Sequence, residues 1–252
     1  MRALNVLKSV DTVVGYTTYT DLLAPVIQGK KVYSTSMTKE VQRVELSIDV
    51  AMKKQSCALV SSGDSGIYAM CGLVFEICKK KNISIITSNT ENKDEHKKDL
   101  LKIEIIPGIP ALCSGASLLG APLIHDFAVI SLSDLLTPWS VIEQRLKAAA
   151  EADFVIVLYN PKSKKRNWQL KKAQEVILEY RNENTPVGIV TSAMRKEQKT
   201  SIVPLADLHK AFVNMQSTVF VGNSVTTTYN DFMITPRGYF SKYDIGEKTK
   251  PL

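Results

Sequence analysis

The sequence predicts an α/β fold, a largely parallel sheet with helices on both faces, divided into two domains. Short apolar runs alternate with segments of helical spacing along most of the chain, which is the pattern of successive strand–helix units. The clearest unit is Ala58-Leu-Val-Ser-Ser-Gly-Asp-Ser-Gly-Ile-Tyr68, an apolar run that stops in a glycine-punctuated turn and restarts as a helix. The length of 252 residues is enough for two cores of ordinary size.

Taken in order, residues 2 to 9 read as a short helix, 11 to 15 as a strand, 30 to 33 as a weak strand and 39 to 54 as a helix with Val41, Val44, Ile48 and Met52 on one face. The central strand and turn lead into a helix from Tyr68 to Lys80, then strand 82 to 86, a polar excursion from 89 to 100 containing His96, and strand 101 to 106. Pro107-Gly108 is the expected domain junction, so the domains are 1–107 and 108–252. Ala111 to Leu119 is a helix of mostly small residues, suited to close approach by a backbone, a flat ligand or a packed neighbour.

A second alternating series follows. Strand 127 to 131 leads to a helix from about Pro138 to Ala150, strand 154 to 158, and a helix from about Trp168 to Tyr180. Strands 187–190 and 200–203 suggest a hairpin and a mixed second sheet; a helix near 205 to 212, strand 217–221 and a short strand near Phe232 complete the series.

Composition narrows the function classes. Hydrophobic content of 44% and charged content of 23% suit a globular protein, no apolar run is long enough to span a bilayer, and the first residues lack a secretory signal, so the cytoplasm is the expected compartment. Cys57, Cys71, Cys78 and Cys113 contain no C-x-x-C pair, which supports neither a zinc site nor a disulfide framework; they are expected as reduced core or near-core thiols. The net charge of +7 includes one dense run, Lys162-Ser-Lys-Lys-Arg166. That run fits a solvated surface or an anionic small substrate; without interleaved aromatics, nucleic acid ranks last.

One strand-ending turn stands out as a candidate binding element, and a second marks a sharp change of direction. Gly63 and Gly66 allow positive φ and close backbone approach, and Asp64 lies where open α/β sheets place ligands, although a plain βα turn with a capping Asp64 or Ser65 fits as well. Tyr159-Asn160-Pro161 ends a strand because proline cannot continue the ladder.

Several longer stretches resemble one family. Ser62-Gly-Asp-Ser-Gly-Ile-Tyr68 and Ile106-Pro-Gly-Ile-Pro-Ala-Leu112 resemble the tetrapyrrole methylases, the S-adenosylmethionine-dependent enzymes of corrin and sirohaem synthesis. Gly120-Ala-Pro-Leu-Ile-His-Asp-Phe127, Ile130 to Trp139, Ala152 to Ser163, Val221-Gly-Asn-Ser224 and Thr235-Pro-Arg-Gly-Tyr239 are similar to the members that act at C17 of precorrin-3B or cobalt-factor III. The likeness covers essentially the whole chain.

The resemblance implies the two-domain tetrapyrrole methylase (class III methyltransferase) fold, usually a homodimer, with S-adenosylmethionine in the cleft between domains. It implies cofactor contacts at Gly63, Asp64, Ile67, Tyr68, Ala111, Leu112, Tyr159, Asn160, Ser192, Ala193 and Met194. It also implies C17 methylation coupled to ring contraction, with His125, Asp126, Ser131, Ser133 and Asp134 as candidate acids, bases or hydrogen-bonding groups; helix capping by Asp126 or Asp134 and a satisfied loop role for His125 are the alternatives. One departure is at the start: family members open with a strand and a Gly-x-Gly-Pro-Gly loop ahead of the first helix, and here the first strand is expected to be missing from the sheet. Rival readings are another tetrapyrrole methylase acting at a different carbon and a non-catalytic tetrapyrrole-binding remnant. A nucleotide-dependent oxidoreductase is disfavoured because no G-x-G-x-x-G follows the first strand.

Overall fold

The computed structural model describes residues 1–87, 100–164 and 166–243. His96 lies outside the described residues. Two compact units divide the chain at Pro110 and Ala111. The division falls later than the Pro107-Gly108 junction expected from sequence because Gly108 is tied to the first unit by the Asp64 carboxylate.

The first unit runs α1 (Arg2–Ser9), β1 (Thr12–Tyr16), α2 (Thr17–Leu23), β2 (Lys31–Thr35), α3 (Glu40–Met52), β3 (Cys57–Val60), α4 (Cys71–Lys80), β4 (Ser84–Thr87) and β5 (Leu100–Ile103). Every ladder in it is parallel: β1 pairs with β2 and β3, and β4 pairs with β5. These five strands form two separate sheets, ordered β2-β1-β3 and β4-β5. Each of β3 and β4 therefore carries an edge without a ladder partner among the described residues. Helices α3 and α4 cover both pieces, because Val44, Ile48, Ile77 and Cys78 share one apolar cluster with Leu59 of β3 and with Leu101 and Ile103 of β5. A cavity of about 500 Å³ remains, lined in part by Phe75, Ile85, Ile86 and Ile103, and none of the candidate site residues touches it.

The second unit begins with α5 (Ala111–Leu119), β6 (Gly120–Ala121), β7 (Phe127–Ser131), α6 (Trp139–Glu151), β8 (Val155–Tyr159) and α7 (Gln169–Leu178). It continues with β9 (Pro186–Thr191), β10 (Lys199–Pro204), a 3-10 helix (Leu205–Lys210), β11 (Ser217–Val221), β12 (Thr227–Tyr229), β13 (Phe232–Ile234) and α8 (Tyr239–Lys242). Its main sheet is mixed, in the order β10-β9-β11-β8-β7. Strand β8 has Val155 to Leu158 wholly buried because both faces are covered. Ile156 and Leu158 pack with Ile142 and Leu146 of α6 and with Leu170 and Ile177 of α7, whereas Val157 turns to the other face with Leu112, Leu119, Phe220 and Met233.

The small residues of α5 serve this packing. A Cβ on Gly115 would lie 2.7 Å from the Phe220 ring, so the helix can sit on the sheet only with hydrogen at that position. The thiols are less uniform than the sequence suggested: Cys78 is buried, Cys57 and Cys71 are half-buried and Cys113 is exposed on α5. Burial pushes the Cys57 thiol up to about 11, so it stays protonated near neutrality.

Candidate active site

In the first unit the loop between β3 and α4 is built around one carboxylate. Asp64 Oδ1 accepts the Gly66 N–H at 2.8 Å and Oδ2 accepts the Gly108 N–H at 2.9 Å. The Gly108 bond, and next to it the Gly66 bond, hold the Asp64 carboxyl below the usual carboxylate range. Gly108 is sterically required, since a Cβ there would stand 2.0 Å from the Gly63 carbonyl oxygen. The backbone of residues 63–66 and 108 thus forms a tight cradle. Helix α4 starts at Cys71 instead of the expected Tyr68, because Cys71 donates its N–H to the Ser65 carbonyl and the intervening residues stay in turns. Tyr68 has φ +52°, and both Ile67 and Tyr68 are exposed. The Ser65 hydroxyl is buried without a partner among the described residues.

In the second unit three strand ends converge. β7 and β8 are parallel, with Ser131 beside Tyr159, while β8 and β9 each run antiparallel to β11. Strands β7, β8 and β9 therefore point the same way, and Ser131, Tyr159 and Thr191 all lie at one end of the sheet. The Tyr159 hydroxyl accepts the Leu112 N–H at 2.8 Å, which satisfies one free donor at the start of α5 and fixes Ala111 and Leu112 relative to β8. Asn160 takes φ +50° and donates its side-chain amide to Ser131 Oγ at 3.0 Å. Ser192 and Met194 take φ +53° and +59° between β9 and β10; Ser192 is pinned by its N–H and hydroxyl to Gln216, and Met194 donates its N–H to the Gln198 side chain at 2.8 Å. Ala193 lies between them, half-buried.

Positive φ is uncommon outside glycine and costs of order 1–3 kcal/mol where the residue is poorly suited. Among the described residues nine non-glycine positions adopt it, and four of them, Tyr68, Asn160, Ser192 and Met194, are residues for which the resemblance implies cofactor contact. Such strain persists only where surroundings hold it, and the bonds from Asn160, Ser192 and Met194 supply that hold.

The five residues considered for acid, base or hydrogen-bonding roles separate into two groups. Ser131 ends β7, and Ser133 and Asp134 follow it: Ser133 donates its N–H to Ser131 Oγ at 3.2 Å, and Asp134 Oδ2 accepts from Gln169 Nε2 at 2.8 Å. His125 and Asp126 precede β7 and so stand at its opposite end, about 16 Å away at some 3.3 Å per strand residue. His125 Nδ1 accepts the Asp126 N–H at 2.9 Å, and the Asp126 side chain is 83% exposed. The same far end holds the Gly222-Asn-Ser224 turn, where Ser224 donates through N–H and hydroxyl to Asp153. Sequence reading missed Gln169 and Gln216; each orients a candidate residue from a distant segment, and no local pattern marks them.

Known proteins resemble this chain over its whole described extent. The profile of the Tetrapyrrole (Corrin/Porphyrin) Methylases matches residues 1–209. A cobalt-factor III methyltransferase of Priestia megaterium is 43% identical over all of this chain, which spans only 44% of that relative's length. A probable cobalt-factor III C(17)-methyltransferase of Salmonella typhimurium is 44% identical over 95% of this chain and 92% of its own. The crystal structure of the methyltransferase CobJ superposes with a TM-score of 0.79 at 31% identity, covering 93% of this chain and 92% of that one. The profile match over most of the chain and the relatives that cover nearly its full length agree: the chain belongs to the tetrapyrrole (corrin/porphyrin) methylases.

Proposed function

We propose that the protein methylates C17 of cobalt-factor III or precorrin-3B, using S-adenosylmethionine, in the ring-contracting step of cobalamin biosynthesis, as a cytoplasmic homodimer. The observation that carries this reading is the match to the Salmonella relative, a probable cobalt-factor III C(17)-methyltransferase that is 44% identical over nearly the full length of both chains.

Bound S-adenosylmethionine supplies an activated methyl group, so the chain needs no nucleophile of its own. Its task is alignment and exclusion of water, which in well-oriented systems corresponds to roughly 7–11 kcal/mol of barrier. The main chain at Gly63 to Tyr68, held by Asp64, suits an adenosyl or ribosyl group that must come close to backbone, and the buried Ser65 hydroxyl has a hydrogen bond to give. Within the second unit, Ala111, Leu112, Tyr159, Asn160 and Ser192 to Met194 are the candidates for cofactor contact, and three of them, Asn160, Ser192 and Met194, have positive φ. For contraction, in which C20 is extruded, Ser131, Ser133 and Asp134 are the better placed candidates for moving or holding a proton, since they share a sheet end with Tyr159.

The test is incubation of the protein with S-adenosylmethionine and either the cobalt-bearing or the cobalt-free substrate, with products read by mass. Gain of one methyl group with contraction supports the reading. Methylation without contraction, at another carbon, would assign the protein to a different step.

A further inference from the structure

We infer that Arg166, with the hydroxyls of Ser131 and Ser133, forms a subsite for one carboxylate of the substrate, an acetate or propionate side chain of the macrocycle. This rests on the proposed tetrapyrrole substrate. Its basis is a surplus of hydrogen-bond donors at the shared end of β7 and β8.

Arg166 is half-buried and has no ion pair among the described residues. Its Nε donates to the Asn160 carbonyl at 3.2 Å and its Nη1 reaches Ser133 Oγ at 3.4 Å, leaving Nη2 without a bond there. The turn that carries it is closed by Ser163 N–H to the Arg166 carbonyl at 2.8 Å and Arg166 N–H to Ser163 Oγ at 3.1 Å, so the guanidinium is positioned from both its backbone and its own stem. Ser131 Oγ already accepts from Asn160 and from the Ser133 N–H, and Ser133 Oγ accepts from Arg166. Neither hydroxyl proton has an acceptor among the described residues. The carboxylate following β7, that of Asp134, is engaged by Gln169 and lies beyond ion-pair distance of Arg166.

A fixed guanidinium edge beside uncommitted hydroxyl donors lacks an acceptor-only, planar, anionic partner, which describes an alkyl carboxylate. Two ligands of the proposed reaction carry one: the macrocycle and the methionyl end of the cofactor. Charge favours the macrocycle, because Lys162 and Lys164 flank the same turn and suit a polyanion better than a zwitterion.

Uroporphyrin, an octacarboxylate tetrapyrrole, serves as the probe, with S-adenosylhomocysteine in a second arm; binding is measured by porphyrin fluorescence and by calorimetry for the wild type, Arg166→Gln and Arg166→Lys. The expected result is uroporphyrin binding weakened about tenfold or more in Arg166→Gln, partly restored in Arg166→Lys, with S-adenosylhomocysteine affinity within about twofold throughout. Unchanged uroporphyrin binding in a folded Arg166→Gln overturns the subsite alone. Loss confined to S-adenosylhomocysteine overturns the assignment to the substrate, and loss of both ligands with a lowered melting point makes Arg166 a structural clasp. If Arg166→Gln does not fold, Arg166→Lys decides by the same comparison. Failure of the wild-type chain to bind uroporphyrin overturns the tetrapyrrole reading itself.

Discussion

The two units are assembled from the same alternation of strands and helices, yet they differ in how completely the sheet organises a core. In the second unit five strands form one ladder, and Val155 to Leu158 and Val219 to Val221 are wholly buried. In the first, five strands fall into two sheets, β4 is mostly exposed and Ile85 shows 41% of its surface. Among the described residues, the twelve largest fully buried side chains all belong to the second unit, from Leu119 to Met233. Continuous pairing, more than apolar content, is what lets large side chains be enclosed from both faces. The first unit meanwhile carries the cradle at Asp64, so its local geometry is fixed by hydrogen bonds where packing is thin.

The largest expected effect is separate unfolding. Both tryptophans, Trp139 and Trp168, lie in the second unit 4.9 Å apart, so their emission reports that unit alone while far-ultraviolet circular dichroism reports both. In urea the dichroism should begin to fall before the emission shifts. Phe220→Ala should destabilise the emission transition by about 3–5 kcal/mol, and Leu101→Ala should leave it in place while moving the earlier dichroism change. Coincident transitions in the wild type would break the contrast between the units.

Next in size is Gly108→Ala. The added carbon would force the Gly63 carbonyl aside, so S-adenosylhomocysteine affinity should fall by about a hundredfold or more, with the tryptophan transition unmoved. A variant that binds as well as the wild type would remove the cradle from the site. A smaller effect attaches to Asp64 itself. Its folded pKa is depressed by the Gly108 and Gly66 N–H bonds, so the stability it contributes is present above the unfolded carboxyl value of about 4 and is lost as pH falls through the lower folded value. Cofactor binding should be flat from about pH 8 to 5 and decline only in strong acid. Asp64→Asn should weaken binding about tenfold and abolish that acid limb; a limb that survives the substitution must belong to another group.

How far this was readable beforehand depends on the range of the interactions. The helix Ala111 to Leu119 and the strands 127–131 and 217–221 match their expected limits, because apolar spacing and flanking turns are local signals. Helix α2 escaped notice: Thr17-Thr-Tyr-Thr20 is β-branched and aromatic, a composition of low helix propensity, and tertiary packing of the buried Thr20 decides it. Strands β6 and β12 were missed for a related reason, being two or three residues long and defined only by their partner β13. At the site, Gly63, Asp64, Tyr159 and Asn160 are legible as strand-ending turns. The bonds from Gln169 to Asp134 and from Ser192 to Gln216 link distant segments and carry no local mark.

The smallest effect, and the sharpest internal test, concerns the two ends of β7. Motif resemblance grouped His125 and Asp126 with Ser131, Ser133 and Asp134, but the two groups lie at opposite ends of β7, Asp126 just before its first residue and Ser131 at its last. Only the second group shares its sheet end with Tyr159 and Asn160. Asp126 is bound to the sheet through its backbone, its carbonyl accepting the Val155 N–H at 3.1 Å, and its exposed side chain has little to lose. Replacing His125 with Ala and Asp126 with Asn should therefore keep kcat/KM within about twofold and stability within about 0.5 kcal/mol, as for other exposed substitutions. Asp134→Asn keeps the shape and an acceptor for Gln169 but removes the charge, and should lower kcat about tenfold, short of the 10²–10⁴ lost with a full general acid or base. Ser133→Ala should fall between the two. A loss larger at Asp126 than at Asp134 would place the chemistry at the amino end of β7, and the convergence of strand ends at Ser131, Tyr159 and Thr191 would then be scaffolding alone.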